Sequence, residues 1–214
     1  MKQDLSDKRK NYTQNWIEFS DVPENPLTLF KDWYDATVAS GKVEEPNALS
    51  LSTIGQDGFP RARIVLLKEF SQEGYVFYTN YSSQKGNAIA ISPKVCLSFF
   101  WPGREQQIII KGNASKVPAD ISDEYFWKRP FESQIGAMVS AQSTVIDLNE
   151  NLEKTAKELA EKFKEKEIPR PENWGGYLVK PIEFEFWQGR PSRLHDRLRY
   201  RWKDGNWLIE RLAP

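Results

Sequence analysis

Cysteine and histidine are almost missing from this chain. Of 214 residues, one is Cys (Cys96), one is His (His195) and two are Met. A lone cysteine excludes an intramolecular disulfide and makes a reducing compartment the default. One Cys and one His also exclude a structural zinc site within one chain. Net charge is missing too, because thirty basic side chains meet thirty acidic ones. That balance argues against a general nucleic-acid or membrane binder, although it says nothing about a single cleft. No apolar run approaches the ~18 residues of a membrane span. The first residues, MKQDLSDKRKNY, are charged and lack the apolar core of a secretory signal. Cytoplasmic placement is the expectation.

Familiar catalytic signatures are absent as well. There is no G-x-G-x-x-G after a strand, no G-x-x-x-x-G-K-[ST] loop and no G-x-S-x-G elbow. Cys–His catalysis would need Cys96 within reach of His195. Chemistry without an evident nucleophile or metal points to a borrowed cofactor. Aromatic residues, by contrast, are plentiful: eight Trp, eight Tyr and twelve Phe. They suit a β-rich fold or a site that stacks on a planar ligand. A chain of this length buries roughly 70% of its extended-chain surface, enough for one good-sized domain.

Residues 1–24 are polar and read as a mobile segment, followed by a single domain over 25–214. PLTLFKDWYDATVASG (26–41) reads as a helix, with Pro26 in the first turn, an apolar stripe of Leu27, Phe30, Tyr34 and Val38, and Gly41 as the stop. From 47 to 117 the period switches to two. ALSLSTI and RARIVLLKEF flank the turn GQDG, then come YVFYTN, a short helix near 83–91, KVCLSFFW and QQIIIKGNASKV. Residues 118–139 read as helical but broken at Pro130. Residues 150–167 form a charged amphipathic helix with Leu152, Ala156, Leu159 and Phe163 as its seam. IPRPENWGG is a linker, and the final strands lie within 176–214: YLVKPIEFEFWQG, RLHDRLRYRW and, after KDGN, WLIERLA. Strands with helices inserted between them indicate an α+β fold, mainly antiparallel β, closed as a barrel with peripheral helices.

Several clusters could carry chemistry. As part of a strand over 193–201, Arg193, His195, Arg197 and Arg199 project from one face. Such a row is either a solvated basic face or a receptor for an anion. Tyr125, Arg129 and Ser133, at spacings of four, share a face on a continuous helix, as donors to a phosphate or as surface decoration. Arg63 and Lys68 bracket IVLL and serve one pocket only where the strand bends or ends between them. Ser82, Ser83 and Lys85 stand at a helix start, where the serines read either as ordinary caps or, with the lysine, as a place that attracts phosphate.

Taken together, PLTLF, RIVLLK, FYTN, SSQKG, YFWKRPFESQIGA, SAQS, NWGGY, EFWQG, RLHDR and RLAP, in order from residue 26 to 214, resemble the pyridoxine (pyridoxamine) 5′-phosphate oxidase family. The resemblance implies an FMN-binding split β-barrel, working as a homodimer with FMN at the subunit interface. It implies oxidation of the 4′ carbon of pyridoxamine or pyridoxine 5′-phosphate to pyridoxal 5′-phosphate, with hydride passing to flavin N5 and O2 reoxidising the flavin to give H2O2. By match, the cofactor positions are Arg63, Ile64, Val65, Leu66, Leu67, Lys68, Tyr78, Thr79, Lys85, Gln107, Gln142, Ser143, Trp187 and Arg197. The substrate positions are Lys68, Tyr125, Arg129, Ser133, Arg193, Leu194 and His195, with Arg9 and Tyr12 closing over them. Arg193 and His195 are the catalytic pair, and no metal, nucleic acid or membrane is implied. Gln84 stands where the resemblance implies a base beside Lys85, one cation fewer for the FMN phosphate. On that reading, Gln84→Arg tightens FMN binding.

Overall fold

A computed structural model describes residues 2–214. Five α-helices and nine strands alternate along it. They are α1 (Pro26–Ser40), β1 (Ala48–Ile54), β2 (Pro60–Leu66), β3 (Glu69–Ser71), β4 (Gly74–Asn80), α2 (Gln84–Ile91), β5 (Lys94–Trp101) and β6 (Gln106–Lys116). After these come α3 (Ala119–Trp127), α4 (Phe131–Val139), α5 (Leu152–Phe163), β7 (Trp174–Gln188), β8 (Asp196–Lys203) and β9 (Asn206–Leu212). The strands form one sheet in the order β2-β1-β5-β6-β7-β4-β3, with β8 paired to β7 and β9 to β8. The pairs β3–β4, β4–β7, β7–β8 and β8–β9 are antiparallel.

The chain divides into two compact units. The first takes the residues up to Leu49, Leu97–Lys111 and Pro181–Pro214. Its helix α1 starts where the Asn25 side chain accepts the Leu27 N–H at 2.9 Å, with Pro26 just inside, and stops at Gly41, whose φ of 61° suits a residue without Cβ. The buried face of α1 is Pro26, Phe30 and Thr37, not the expected stripe through Val38, which is 52% exposed. Thr37 is tolerated inside because its hydroxyl donates to the Trp33 carbonyl at 2.7 Å. Phe30 meets Phe99 at 5.3 Å, and Trp33 meets Phe186 at 5.3 Å. Strands β8 and β9 close the unit as a hairpin around Asp204 and Gly205, with Trp202 opposite Trp207.

The second unit holds Ser50–Cys96 and Gly112–Lys180. Pro130 ends α3 and opens α4, as its lack of an N–H requires, and its carbonyl accepts the Ser133 and Gln134 N–H groups. Phe126, Ile135, Ile168 and Trp174 form a buried cluster against which Ala156, Leu159 and Phe163 of α5 pack. Leu152, expected in the α5 seam, is 40% exposed at its first turn. The expected linker ends early: Trp174, Gly175 and Gly176 already pair with Asn80, Thr79 and Tyr78 as the start of β7.

Candidate active site

The second unit contains a cavity of about 650 Å³. The end of β2 contributes Ile64, Val65 and Leu66, and Lys68 follows just past the strand end that separates it from Arg63. Tyr125, Arg129 and Ser133 all line the cavity. No single helix carries them, since Pro130 breaks the run, but the break still delivers the three side chains to one place. The Arg129 guanidinium lies over the Trp174 ring at 4.6 Å, and burial holds its pKa below the usual arginine value. Its Nη1 is buried and has no hydrogen-bond partner. Tyr78 stacks on Tyr125 at 3.8 Å, and burial pushes its phenol up to about 12.

Lys85 is buried at the start of α2 among neutral acceptors: Gln142 Oε1 at 2.7 Å, Thr79 Oγ1 at 3.1 Å and Ser83 Oγ at 3.2 Å. Burial, reinforced by the Arg63 charge, lowers its pKa to about 8. Ile64, Lys85 and Gln142 also border a neighbouring cavity of about 440 Å³, together with Arg61, Arg63 and Ser143. Arg63 donates to the Leu51 carbonyl at 3.1 Å and the Thr53 hydroxyl at 2.8 Å. Burial, then the Arg61 charge, depress its pKa. No carboxylate lines either cavity. Leu67, expected at the cofactor, is 5% exposed and lines neither: with β2 ended at Leu66, its side chain belongs to the core.

The first unit places the rest. The expected strand over 193–201 begins only at Asp196, so Arg193 and His195 are not part of a row with Arg197 and Arg199. A single 3-10 turn precedes it, in which Ser192 and Arg193 take positive φ of 57° and 60°. Each such residue costs about 1 kcal/mol or more, so the surroundings must enforce the turn. His195 is fixed by its Nδ1, which accepts the Arg190 N–H at 3.0 Å. The neutral ring therefore carries its proton on Nε2, a donor. Burial and the Arg193 charge hold its pKa below 6.5, against the pull of Asp196.

Trp187 packs on His195 at 4.6 Å, and Tyr12 meets both rings edge-on at 5.6 and 5.8 Å. Gly189 makes that approach possible, because a Cβ there would lie 2.7 Å from Tyr12 Cγ. Arg9 is not brought along: it is exposed and donates to the Ser6 carbonyl at 2.9 Å. Leu194 is 67% exposed, and Gln107 is half-buried on β6. Arg197 is engaged by Glu185 at 2.9 Å and the Ala213 carbonyl at 3.0 Å. Nothing in the NWGGY stretch announces that Trp174 stacks with Tyr78 and Tyr125, and no sequence pattern announces that the Glu105 carboxylate accepts the Thr13 and Gln14 N–H groups.

Residues 38–163 match the family model described as pyridoxamine 5′-phosphate oxidase, and residues 174–214 match the pyridoxine 5′-phosphate oxidase C-terminal dimerisation region. The chain belongs to the pyridoxine/pyridoxamine 5′-phosphate oxidase family. A relative of that name from Flavobacterium psychrophilum is 54% identical over 212 residues, 99% of each chain. Another, from Christiangramia forsetii, is 50% identical over the full length of both. PhzG from Burkholderia lata, solved with tetrahydrophenazine-1-carboxylic acid, is 31% identical with a TM-score of 0.88, covering 96% of this chain and 100% of its own. An FMN-binding, oxidase-related protein from Nostoc punctiforme shares the fold at a TM-score of 0.70 and 15% identity, covering 90% and 100%. The fold is thus the α+β, mainly antiparallel split barrel of this family. Among the described residues, no helix is long and apolar enough to cross a membrane, and no group of three or more His, Cys, Asp or Glu is placed to hold a metal.

Proposed function

We propose that the chain oxidises pyridoxamine 5′-phosphate and pyridoxine 5′-phosphate to pyridoxal 5′-phosphate, using FMN and O2 and releasing H2O2. The observation that carries the reading is Arg129, a half-buried cation whose Nη1 is buried and idle, beside Tyr125 and Ser133 in a cavity without carboxylates. A desolvated guanidinium with a spare donor is costly unless an anion takes it. A phosphate monoester, bearing about −1.5 to −2 charges, answers that demand, and Lys68 adds a second cation.

The donor set around Lys85 fits FMN in the same way. Arg63 and Lys85 supply cations held by neutral groups only, and Thr79, Gln142 and Ser143 supply polar edges. Ile64, Val65, Leu66 and Tyr78 form walls against which a planar ring can lie. Bound there, FMN supplies a two-electron acceptor that O2 regenerates. Gln107, Trp187 and Arg197 complete its contacts in a homodimer with FMN at the subunit interface, a reading supported by the match to a dimerisation region. Arg197 is already neutralised by Glu185, so it offers a fixed edge more than free charge.

At the reacting end, Arg193, Leu194 and His195 face the substrate under Tyr12. His195 acts as a hydrogen-bond donor from Nε2, because the Arg190 N–H occupies the nitrogen that would otherwise accept a proton. Arg9 joins them only when the turn at residues 5–9 opens. Cytoplasmic placement, with no nucleic-acid or membrane partner, rests on the lone cysteine and the balanced charge. The test is peroxide release and aldehyde formation by the FMN-loaded protein in air. Pyridoxamine 5′-phosphate should support turnover far better than pyridoxamine. A yellow, dimeric protein that turns over neither phosphorylated substrate would reject the reading.

A further inference from the structure

We propose that Arg61 is a third cation of the FMN phosphate site, held there by Gln84. The inference rests on the reading that the cavity beside Lys85 receives the FMN phosphate. Arg61 Nη1 donates to the Gln84 side-chain oxygen. Residue 61 sits at the second position of β2 and residue 84 at the first of α2, so the bond ties a strand to the helix start beside Lys85. Arg61, Arg63 and Lys85 line the same cavity of about 440 Å³, with Gln84, Gln142 and Ser143 as its polar partners.

Three like charges around one space repel each other, and the repulsion registers on Arg63, which the Arg61 charge helps to depress, and on Lys85, which the Arg63 charge helps to depress. Residues that only tied β2 to α2 would gain nothing from that crowding. Asp57 lines a neighbouring cavity with Arg61 and Arg63, but it accepts the Phe59 N–H at 3.1 Å and does not line the one shared with Lys85. A phosphate dianion relieves all three cations at once. Gln84 is then a holder of the guanidinium and not a missing cation.

The test is titration of apo-protein with FMN and, separately, with riboflavin, which lacks the phosphate, at low and high ionic strength. The variants are Arg61→Met, Arg63→Met and Lys85→Met, with circular dichroism to confirm folding. Arg61 is exposed, so its loss should leave the fold intact. Arg61→Met should weaken FMN binding about fivefold at low salt, the upper range for a solvated charge pair, with the gap shrinking as salt rises. Riboflavin affinity should not change. If Arg61→Met leaves FMN binding intact while Lys85→Met weakens it, the proposal falls and the phosphate site stands. If neither Arg63→Met nor Lys85→Met weakens FMN binding, the site reading itself falls. An equal loss for riboflavin would also overturn the role assigned to Arg61.

Discussion

The strand arginines of the first unit and the cavity cations of the second are held in opposite ways. In the first unit each strand arginine has an acid. Arg197 pairs with Glu185 at 2.8 Å, Arg199 and Arg201 share Glu210 at 2.8 and 2.7 Å, and Arg190 and Arg211 flank Asp196 at 3.5 and 3.6 Å. Glu210 is drawn down to about 2 by its hydrogen bonds from Arg201 and Arg199. In the second unit Arg63, Lys85 and Arg129 sit partly or wholly desolvated among carbonyls, hydroxyls, amides and rings. The first arrangement is complete without a ligand. The second leaves cations without acids, so on the proposed reading charge that reads as equally basic in the sequence divides into framework and site.

The largest test of that division is Arg129→Met, which keeps apolar bulk over Trp174 and removes the charge. It should cost about 1.5–3 kcal/mol in affinity for the phosphorylated substrate, or about 10- to 150-fold. Pyridoxamine, without phosphate, should bind the variant and the parent alike. An equal loss for both compounds would make Arg129 a framework residue and erase the contrast.

Lys85 provides the next test, through pH. Its pKa in the ligand-free protein is about 8, while a bound phosphate selects the charged form. FMN affinity should therefore stay level from the second phosphate pKa near ~6 up to about 8, then fall by up to about tenfold per pH unit. Lys85→Gln should bind FMN more weakly at neutral pH and lose the decline. A wild-type affinity that stays flat through pH 9 would mean that Lys85 does not meet the phosphate.

The division was only partly legible in the sequence. The α1 boundaries could be read from Asn25, Pro26 and Gly41 because capping is local chemistry. Tyr125, Arg129 and Ser133 could be grouped by spacing even though the helix breaks between them. Period-two spacing puts Arg193 and His195 on a strand that the structure starts only at Asp196, because positive φ at Ser192 and Arg193 is enforced by tertiary surroundings and no glycine announces it. The Arg61–Gln84 bond spans 23 residues, and the ties of Glu105 to residues 13 and 14 span 92 and 91. Side-chain pairing over such distances leaves no periodic trace.

Glu105 sharpens the contrast from the acid side. Its buried carboxylate accepts the Thr13 and Gln14 N–H groups at 2.8 and 3.0 Å and pairs with Lys10 at 3.1 Å, which sets Tyr12 against Trp187 and His195. Burial pushes its pKa up, but those hydrogen bonds outweigh burial and leave it below 4.5. Its contribution is thus present above that value and lost as pH falls through the folded pKa. Glu105→Gln keeps an acceptor and loses the charge, so the strap should loosen by about 1 kcal/mol. Trypsin should then cut at Lys8, Arg9 or Lys10 about fivefold faster while the remaining chain stays protected. Unchanged cleavage would show that the strap does not depend on this acid.

The smallest expected effect belongs to Gln84→Arg. If the cavity lacked a cation, adding one would tighten FMN binding, as the sequence suggested. With Arg61 already placed by the Gln84 oxygen, the new guanidinium loses that acceptor and meets Arg61 as a like charge. Gain and repulsion are both solvated, each about 0–1 kcal/mol, and they oppose each other. FMN affinity should therefore change by less than about twofold, at low and high salt alike. In an Arg61→Met background the same substitution meets no such repulsion, and it should recover most of what Arg61→Met loses. Titrating the parent, both single variants and the double variant with FMN closes the cycle. A clear gain from Gln84→Arg alone would show an unfilled cation place, and an additive cycle would show that positions 61 and 84 act on the phosphate independently.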